Sequence, residues 1–435
     1  MNVNHFRDVN QFRDNRGEWA AVTAISIKKA VKPSNSMLVG IVGKPSSGKS
    51  TFFKASTLAE VEIASYPFTT IKPNRGAAYV RVSCVDRELN VKCNPREGFC
   101  ISGNRFVPVE FLDVAGLVPG AHQGKGLGNQ FLDDLRQANA LVHVVDASGS
   151  TDENGKPVDA GSHNPSDDVR FLETELDLWY LAILKKPWEK FAKQTYMERH
   201  KVEDAIADQF SGLNANTEIV KSIIAGLGLN PENPLKWSER DLQNFAVELR
   251  RATKQIIIAA NKADLDTAAA NIKKMQEEFK GHMIVPCSAE SELALREAAR
   301  ENLIEYIPGD SSFTIKEGGK LSPKQRKALE FIDENVLKKH GNTGVQDCLN
   351  KAVFDLLKCV AVFPGGVNKL ADQHGRVLPD CILMPENSTA VDFAFRLHTD
   401  LGEGFIRAID VRTRKTVGRD YALKNRDVVE IISRK

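Results

Sequence analysis

The stretch MLVGIVGKPSSGKST, residues 37–51, decides the fold because it joins an apolar run to a phosphate-binding pattern. The run 37–42 predicts a buried parallel strand, and the residues from Thr51 onward predict a helix. Residues 43–50 between them fit the pattern G-x4-G-K-[ST]. Such a loop lets backbone N–H groups approach a polyphosphate, while a lysine and the helix N-terminus supply positive charge. The stretch therefore predicts a nucleotide-binding α/β domain, with an ordinary Gly/Ser turn as the alternative.

The next motif, Asp113-x-x-Gly116, follows a second apolar run at 106–112. A carboxylate at a strand end that faces the phosphate loop can hold Mg²⁺, and the N–H of Gly116 can reach a γ-phosphate. In the loop before this strand, Thr69 or Thr70 is expected to close over Mg²⁺ when the γ-phosphate is present. Each segment alone would be an ordinary turn or loop. After a phosphate loop, magnesium and phosphate binding is the favoured interpretation.

The third motif, Asn261-Lys262-Ala263-Asp264, follows a further apolar run and predicts recognition of guanine. The Asp264 carboxylate can accept hydrogen bonds from N1–H and N2–H₂ of guanine, a donor pair that adenine lacks. Asn261 would bond N7, and the aliphatic stem of Lys262 would cover the base. Ser288-Ala289, after another short apolar run, would offer a backbone N–H to O6. Capping of the following helices is the alternative role for these residues.

The strand and helix patterns predict an α/β domain with additions. More than 100 residues separate the apolar runs 141–145 and 255–260, far more than one crossover needs. The helical patterns that fill this distance lie at 187–211, 216–226 and 238–253. Ser322-Pro323-Lys324-Gln325 has the form of a capping box that starts a later helix. The predicted organisation is an N-terminal extension 1–36, a nucleotide domain 37–310 with a helical insertion 187–250, a helical connector 311–359 and a small β-rich domain 360–435.

The composition is that of an ordinary globular protein: of 435 residues, 42% are hydrophobic and 27% are charged, and the net charge is +2. These values exclude a globally disordered, collagen-like or polycationic chain, and no apolar run is long enough to span a membrane. The seven cysteines include no C-x2-C pair, so reduced thiols are expected rather than disulfides or a zinc ribbon. Metal binding by the three cysteines between 84 and 100 is the alternative to plain core or surface thiols. Because no leader pattern begins the chain, we predict a cytoplasmic protein.

Together these residues resemble the Obg/YchF group of translation-factor-class GTPases. The closer markers are YPFTTIKPN at 66–74, DVAGLVPGA at 113–121, GKGLGN at 124–129, HVVD at 143–146 and HTDLGEGFIRA at 398–408. The last stretch resembles the TGS domain of YchF-like proteins. The resemblance implies an α/β fold: a P-loop NTPase G domain with a helical, coiled-coil-like insertion and a C-terminal ubiquitin-like β-grasp (TGS) domain. It also implies Mg²⁺-dependent GTP hydrolysis and association with ribosomes or RNA.

Two departures from the family's pattern concern the ligand. YchF proteins generally carry an acidic variant of the base motif and prefer ATP, whereas residues 261–264 have the guanine form. We therefore predict GTP, with a YchF-like ATPase as the alternative. Related phosphate loops usually have an Asn, which supports potassium binding in some relatives, where this chain has Ser46. That substitution puts a potassium requirement in doubt.

Two further departures concern hydrolysis. Leu117 stands where many GTPases place a water-orienting Gln, and a leucine cannot orient water. The histidine implicated in hydrolysis in YchF falls near Val158 of this chain, which cannot transfer a proton. His122 and His163 are nearby substitutes, although each is expected to be a plain surface histidine. We predict slow unassisted hydrolysis, with a nucleotide-binding scaffold that barely hydrolyses as the alternative.

The motifs and the resemblance give the predicted site. The nucleotide-binding residues are Gly43, Lys44, Pro45, Ser46, Ser47, Gly48, Lys49, Ser50, Thr51, Asn261, Lys262, Asp264, Ser288 and Ala289. The Mg²⁺ ligands are Ser50, Thr70 and Asp113. The groups that act on the reacting phosphate are Lys49, Thr70 and Gly116.

The C-terminal domain carries a basic segment at 405–426. Its seven basic residues are Arg407, Arg412, Arg414, Lys415, Arg419, Lys424 and Arg426, against Asp410 and Asp420. Clustered guanidinium groups suit phosphates, which they can bind in a bidentate manner. We predict a ribosome or structured RNA as the partner, bound through the TGS domain and the helical insertion of a monomer. An ordinary solvated face is the alternative.

Overall fold

The computed structural model describes most of the chain beyond the predicted N-terminal extension. The described residues are 37–57, 74–114, 134–198, 200–317 and 321–434. The predicted extension 1–36, the Thr69–Thr70 loop, Gly116, Leu117 and His122 lie outside them. The roles predicted for those residues stay predictions.

A seven-stranded sheet forms the centre of the nucleotide domain. Its strands are β1 (Leu38–Val42), β2 (Arg75–Ser83), β3 (Phe99–Ile101), β4 (Asn104–Asp113), β5 (Ala140–Asp146), β6 (Gln255–Asn261) and β7 (Met283–Pro286). They are ordered β2-β4-β1-β5-β6-β7, with β3 paired to β4. β1, β4, β5, β6 and β7 are parallel, whereas β2 and β3 run antiparallel to β4. All five strands expected from apolar runs are confirmed, and the structure adds β2 and β3.

Helices follow the strands and also build the region between β5 and β6. They are α1 (Lys49–Thr57), α2 (Pro165–Lys185), α3 (Trp188–Glu198), α4 (Val202–Gln209), α5 (Thr217–Gly226), α6 (Glu239–Thr253), α7 (Ala268–Glu278) and α8 (Ala289–Arg300). The prediction of one helix over 187–211 is wrong, because Lys201 at the start of α4 is extended, with φ −77° and ψ 121°. The helices predicted at 216–226 and 238–253 are confirmed as α5 and α6.

A two-stranded hairpin, β8 (Ile304–Tyr306) and β9 (Phe313–Ile315), spans the predicted boundary between the nucleotide domain and the connector. The Ser322–Gln325 capping box then starts α9 (Pro323–Ile332), which continues through a π-helical turn to His340. Next comes α10 (Val345–Asn350). Its buried Val345, Cys348 and Leu349 pack in the same core as β1 and β4. This helix is therefore part of the nucleotide domain's core, although the domain boundaries given above stay predictions.

The C-terminal residues form a second, five-stranded sheet. Its strands are β10 (Cys359–Pro364), β11 (Ile382–Pro385), β12 (Phe405–Asp410), β13 (Thr416–Val417) and β14 (Val428–Ser433), ordered β11-β10-β14-β12-β13. The helices α11 (Ala390–Leu397) and α12 (Thr399–Glu403) lie between β11 and β12 in the chain. Phe393 of α11 is fully buried against the sheet, as expected of a core residue. The architecture is thus the predicted α/β P-loop domain with a helical region and a C-terminal β-grasp domain. Among the described helices, none is both long and apolar enough to cross a membrane.

One buried histidine makes the stability of this fold depend on pH. His143 of β5 is fully buried, and burial lowers its pKa to about 3, with His282 and Lys44 acting in the same direction and Glu173 opposing them. Below the ordinary histidine pKa of about 6.5, the His143 imidazole is protonated in the unfolded chain but stays neutral in the folded chain. The contribution of His143 to stability is therefore complete above this pH and falls as the pH decreases, by about 2 kcal/mol between pH 7 and pH 5.

Denaturant unfolding of the wild type and of His143→Leu at pH 7 and pH 5 measures the contribution of His143 to the free energy of unfolding. We expect the variant to lose about 2 kcal/mol less than the wild type over the interval. His374→Leu, which removes an exposed histidine, is the control and should keep the wild-type slope. Equal slopes for the wild type and His143→Leu would contradict the assignment.

Candidate nucleotide-binding site

A cleft lies where the loop between β1 and α1 faces the segment after β6 and the start of α8. Its volume is about 550 Å³, within the range of small-molecule sites. The residues that line it are Lys44, Pro45, Ser46, Gly48, Lys49, Ser50, Thr51, Asn261, Lys262, Asp264, Leu265, Ser288, Ala289 and Glu290. The structure therefore brings together the predicted phosphate loop, the base motif and the Ser288–Ala289 segment. Leu265 and Glu290 are additions that no sequence pattern indicated.

Two glycines of the phosphate loop are required by the protein's own packing. A Cβ at Gly43 would stand 2.6 Å from the carbonyl oxygen of Val144. Gly48 has a φ of +89°, and a Cβ there would stand 2.2 Å from Nδ2 of Asn261. Side chains at these positions would therefore clash with the neighbouring strand and with the base motif. The sequence argument, which invoked only close approach to a polyphosphate, missed this second reason.

Asn261 ties the base motif to the phosphate loop. Its Nδ2 donates to the carbonyl oxygen of Ser47 at 2.9 Å, and its Oδ1 accepts from the N–H of Ala289 at 3.0 Å. The N–H of Ser288 donates to the carbonyl oxygen of Thr343 at 2.9 Å. Both amides of Ser288-Ala289 are thus engaged within the protein, so the predicted bond from one of them to guanine O6 would require an exchange of partner and stays a prediction. Asn261 itself positions two loops, and its predicted bond to N7 stays a prediction.

Lys262 is held over the cleft by a buried carboxylate. Its backbone has a φ of +62°, and its Nζ lies 2.8 Å from Oδ2 of Asp146 and 3.2 Å from Oγ of Ser150. Burial alone would raise the pKa of Asp146, but hydrogen bonds from Lys262, Ser148 and Thr151 outweigh it and lower the pKa. Asp146 therefore stays ionised and fixes the lysine stem. The sequence marked Asp146 only as part of a family resemblance, not as an anchor.

Asp264 presents the acceptor that the guanine prediction needs. Its partly exposed side chain lines the cleft. Within the described part of the chain, no donor bonds its carboxylate. Both oxygens are thus available to a ligand with two adjacent N–H donors, and a bond from the N–H of Leu265 to the carbonyl oxygen of Lys262 at 3.1 Å closes the backbone turn that carries Asp264.

Lys49, at the start of α1, meets Asp113 at the end of β4. Their side chains form an ion pair, and Lys49 Nζ also donates to the carbonyl oxygen of Val114 at 2.9 Å. Asp113 pairs in register with Ile41 of β1, and its ion pair with Lys49 brings its carboxylate to the first turn of α1, which also carries Ser50. A hydroxyl and a carboxylate are oxygen donors of the kind that Mg²⁺ prefers, so these residues fit the ion. The third predicted ligand, Thr70, lies outside the described residues.

Lys44 lies in the phosphate loop and lines the cleft, but the ammonium group of its side chain is engaged within the protein. Its buried Nζ pairs with Oδ2 of Asp168 at 2.9 Å and donates to the carbonyl oxygen of Thr151 at 2.9 Å. His163 Nε2 lies 2.9 Å from the other oxygen of Asp168. Because the His163 side chain is only 13% exposed, the expectation of a plain surface histidine is wrong. These three residues anchor the phosphate loop to the start of α2.

Burial and neighbouring charges act in opposite directions on the pKa of Asp168, the carboxylate at the centre of this anchor. Burial raises the pKa of its carboxyl, although hydrogen bonds and charges from Lys44 and His163 act in the opposite direction.

Val158, near the position of the YchF histidine, is 38% exposed and offers no proton-transfer group. Among the described residues, therefore, no histidine replaces that group at the cleft.

The chain matches three family models in succession. Residues 38–170 match the 50S ribosome-binding GTPase family, residues 259–366 match the G4 motif-containing domain of Obg-like GTPases of the YGR210-like type, and residues 373–433 match the TGS domain. The matches follow the order of the phosphate loop, the base motif and the β-grasp sheet. They cover both sheets of the structure.

Individual proteins match over nearly the whole length. A GTP-binding protein of Methanocaldococcus jannaschii is 49% identical over 91% of this chain and 99% of its own. The ribosome-binding ATPase YchF of Bacillus subtilis is 30% identical over 86% of this chain and 87% of its own. The crystal structure of a GTP-binding protein from Pyrococcus horikoshii superposes with a TM-score of 0.72 at 42% identity, covering 92% of this chain and 100% of that one. With these motifs, this fold and these relatives, the chain belongs to the YchF-type family of Obg-like P-loop GTPases that carry a C-terminal TGS domain.

Proposed function

We propose that this protein is a GTP-hydrolysing, Mg²⁺-dependent switch that acts on the ribosome or on structured RNA. The observation that carries the choice of GTP is the Asp264 carboxylate, which lines the cleft without a protein donor among the described residues. The names of the relatives support the two halves of the proposal: the M. jannaschii protein is called GTP-binding, and the B. subtilis protein is called a ribosome-binding ATPase.

The residues of this chain divide the chemistry between binding and charge stabilisation. Asp264 accepts from the guanine edge, Lys262 covers the base, and the phosphate-loop amides surround the β-phosphate. Lys49 exchanges its contact with Asp113 for the β- and γ-phosphates, where its charge stabilises the leaving diphosphate. Mg²⁺, held by Ser50 and Asp113, would supply further neutralisation of the phosphate charge. The N–H of Ser288 or Ala289 would contact O6 by exchanging its present acceptor within the protein for the base.

Hydrolysis is the step for which this chain supplies the fewest groups. Leu117 cannot orient water, Val158 cannot transfer a proton, and His163 is engaged by Asp168. We therefore expect slow turnover by the purified protein and faster phosphate release once a partner completes the site.

Phosphate release from GTP and from ATP, with and without ribosomes, tests the proposal. Stimulation by ribosomes with GTP supports a switch. Rapid turnover without any partner would contradict the expected dependence on one. Tighter binding of ATP than of GTP would favour the YchF-like ATPase, and GTP binding without turnover in either condition would favour a scaffold.

The basic segment of the TGS domain is only partly available to RNA. Arg412 Nε lies 3.0 Å from Oε2 of Glu88, and Arg426 pairs with the same carboxylate, so these two arginines join the TGS domain to the loop after β2. The five other basic residues are exposed: Arg407, Arg414, Lys415, Arg419 and Lys424. We propose that these five contact phosphates.

Charge reversal at two of these residues should weaken ribosome binding without affecting the fold. Each phosphate contact removed lowers the salt dependence of binding by about one unit of slope, so Arg414→Glu with Lys415→Glu should reduce the slope by about two. Co-sedimentation with ribosomes across a salt series measures this. Lys324→Glu with Lys327→Glu, an equal charge change on exposed residues of α9, is the control. Equal weakening by both double variants would show that only net charge matters.

A further inference from the structure

Four potential metal ligands converge in and beside the loop between β2 and β3. They are Cys84, Asp86, Cys93 and Cys100, and their ligand atoms all lie within 4.8 Å of one another. Cys84 Sγ lies 3.7 Å from Cys93 Sγ, and Cys100 Sγ lies 4.0 Å from Oδ2 of Asp86. Two thiolates bound to one tetrahedral zinc ion, with Zn–S bonds of about 2.3 Å, stand about 3.8 Å apart. We propose that these four residues form a structural Zn²⁺ site.

The strand register explains why these residues meet. Cys100 of β3 and Val82 of β2 both pair with Arg105 of β4, so all three side chains lie on one face. Cys84, two residues after Val82, continues that face at the end of the strand. The intervening loop then folds back, with the N–H of Val91 bonded to the carbonyl oxygen of Asp86 at 2.9 Å. The fold therefore places the ligands before any metal binds.

Asp86 is oriented as a ligand carboxylate usually is. Its side chain is buried, and its Oδ1 accepts from the N–H of Arg87 at 2.8 Å. That bond leaves Oδ2 directed toward Cys100. A carboxylate fixed by a backbone donor on one oxygen and free on the other is the arrangement that second-shell contacts give to metal ligands.

A buried cation beside the cluster matches the charge of a zinc–thiolate centre. Three thiolates and one carboxylate carry four negative charges, of which Zn²⁺ cancels two. Arg105, 1% exposed and the cross-strand neighbour of Cys100, donates from its two Nη atoms only to the carbonyl oxygens of Leu378 and Pro379. No carboxylate pairs with it in the described part of the chain. The charge of Glu97 acts on Arg105 without forming an ion pair. Because a buried guanidinium without a paired anion is costly, the remaining negative charge of the centre would stabilise it.

The alternatives account for less of this arrangement. A Cys84–Cys93 disulfide would use two of the four groups and leave Cys100 and the buried Asp86 unexplained. Plain core thiols would not require a carboxylate among the sulfur atoms. Cys287 and Cys348 show the contrast: their Sγ atoms are 3.4 Å apart in the core, yet among the described residues no third ligand joins them. Four protein ligands with no open position fit a structural role better than a catalytic one.

The consequence concerns how the TGS domain is held. In the loop between β2 and β3, the N–H groups of Asn94 and Arg96 donate to the carbonyl oxygens of Val377 and Pro379, each at 2.8 Å. Cys84 also shares a buried core with Leu378 of the C-terminal part. The metal would therefore stiffen the surface against which the TGS domain packs. This role is independent of the proposed nucleotide chemistry, because the cluster shares no residue with the cleft.

Metal analysis of the full chain, purified without chelators, tests the site. We expect about one Zn²⁺ per chain in the wild type and less than a tenth of that in Cys93→Ser and Cys100→Ser. Cys348→Ala, which removes a buried thiol outside the cluster, should keep the metal. Asp86→Asn should retain zinc but release it to a chelator faster than the wild type. Co²⁺ bound in place of zinc should show a thiolate charge-transfer band that the two serine variants lack.

The wild type alone also decides the question if the serine variants fail to fold. Treatment with a strong chelator should make three additional thiols reactive and should lower the melting temperature, and added Zn²⁺ should reverse both changes. A folded wild type that neither retains zinc nor takes it up would overturn the proposal. A Cys84–Cys93 disulfide found in protein purified without oxidant would overturn it as well.

Discussion

Asp264→Asn should lower the affinity for GTP by about 10²- to 10³-fold. The carboxylate makes two charge-assisted hydrogen bonds to guanine in the proposed complex, together worth about 3–4 kcal/mol. An asparagine can accept from N1–H, but its amide N–H₂ then opposes the N2–H₂ of the base. Equilibrium binding of a labelled GTP analogue, in competition with unlabelled GTP and ATP, measures the change. ATP binding should be unaffected, because adenine offers no donor pair to this carboxylate.

The chain supplies a matched control for this variant. Asp266→Asn makes the same chemical change two residues away, at an exposed position that does not line the cleft. It should leave GTP affinity unchanged. Xanthosine triphosphate, which presents a carbonyl where guanine presents N2–H₂, should bind Asp264→Asn better than it binds the wild type. An Asp264→Asn protein that binds GTP normally would refute guanine recognition by this residue, and an equal loss of GTP and ATP would point to a damaged cleft.

The sequence predicts the five strands that appear as apolar runs and misses β2, which arginines interrupt, and β3, which has only three residues. β1, β5 and β6 are buried along nearly their whole length, so each reads as a continuous apolar run. β2 contains Arg75 and Arg81, both half-buried, and it ends at the exposed Ser83. Arg81 pairs with Asp310 at 2.5 Å, more than 200 residues further along the chain. Such a partner is visible only once the chain has folded, so no local pattern indicates this strand.

The motifs identify the site residues but not where their side chains point. Lys44 lies in the phosphate-binding pattern, yet its Nζ pairs with Asp168 on α2. Asn261 lies in the base motif, yet both polar atoms of its amide bond to the two neighbouring loops. The spacing of the cysteines likewise gave no zinc signature, because the register of β2, β3 and β4 rather than local spacing brings them together. In each case a contact across the fold decides the role.

Gly48→Ala should both destabilise the protein and abolish nucleotide binding. An alanine with a φ near +89° costs about 1–2 kcal/mol of backbone strain. Its Cβ would also stand 2.2 Å from Nδ2 of Asn261, which is fixed by its bond to the carbonyl oxygen of Ser47. Relief of that contact requires the Asn261 amide to give up its bonds to Ser47 and Ala289 or the phosphate loop and the base motif to separate, so we expect a total loss of about 2–4 kcal/mol in the free energy of unfolding. GTP affinity should fall by more than about 100-fold, because the two halves of the cleft no longer hold their spacing.

Gly228→Ala separates strain from steric conflict. Gly228 also has a positive φ, +65°, but an added Cβ there meets no atom within 4 Å. It should cost only the backbone term, about 1 kcal/mol, and should leave GTP binding intact. Denaturant unfolding and GTP titration of both variants give the comparison, and a cycle with Asn261→Ala isolates the contact. If the clash is the cause, Gly48→Ala should cost about 1–2 kcal/mol less in the Asn261→Ala background than in the wild type. Equal costs in the two backgrounds would mean that strain at residue 48, and not the contact between the phosphate loop and the base motif, makes the glycine necessary.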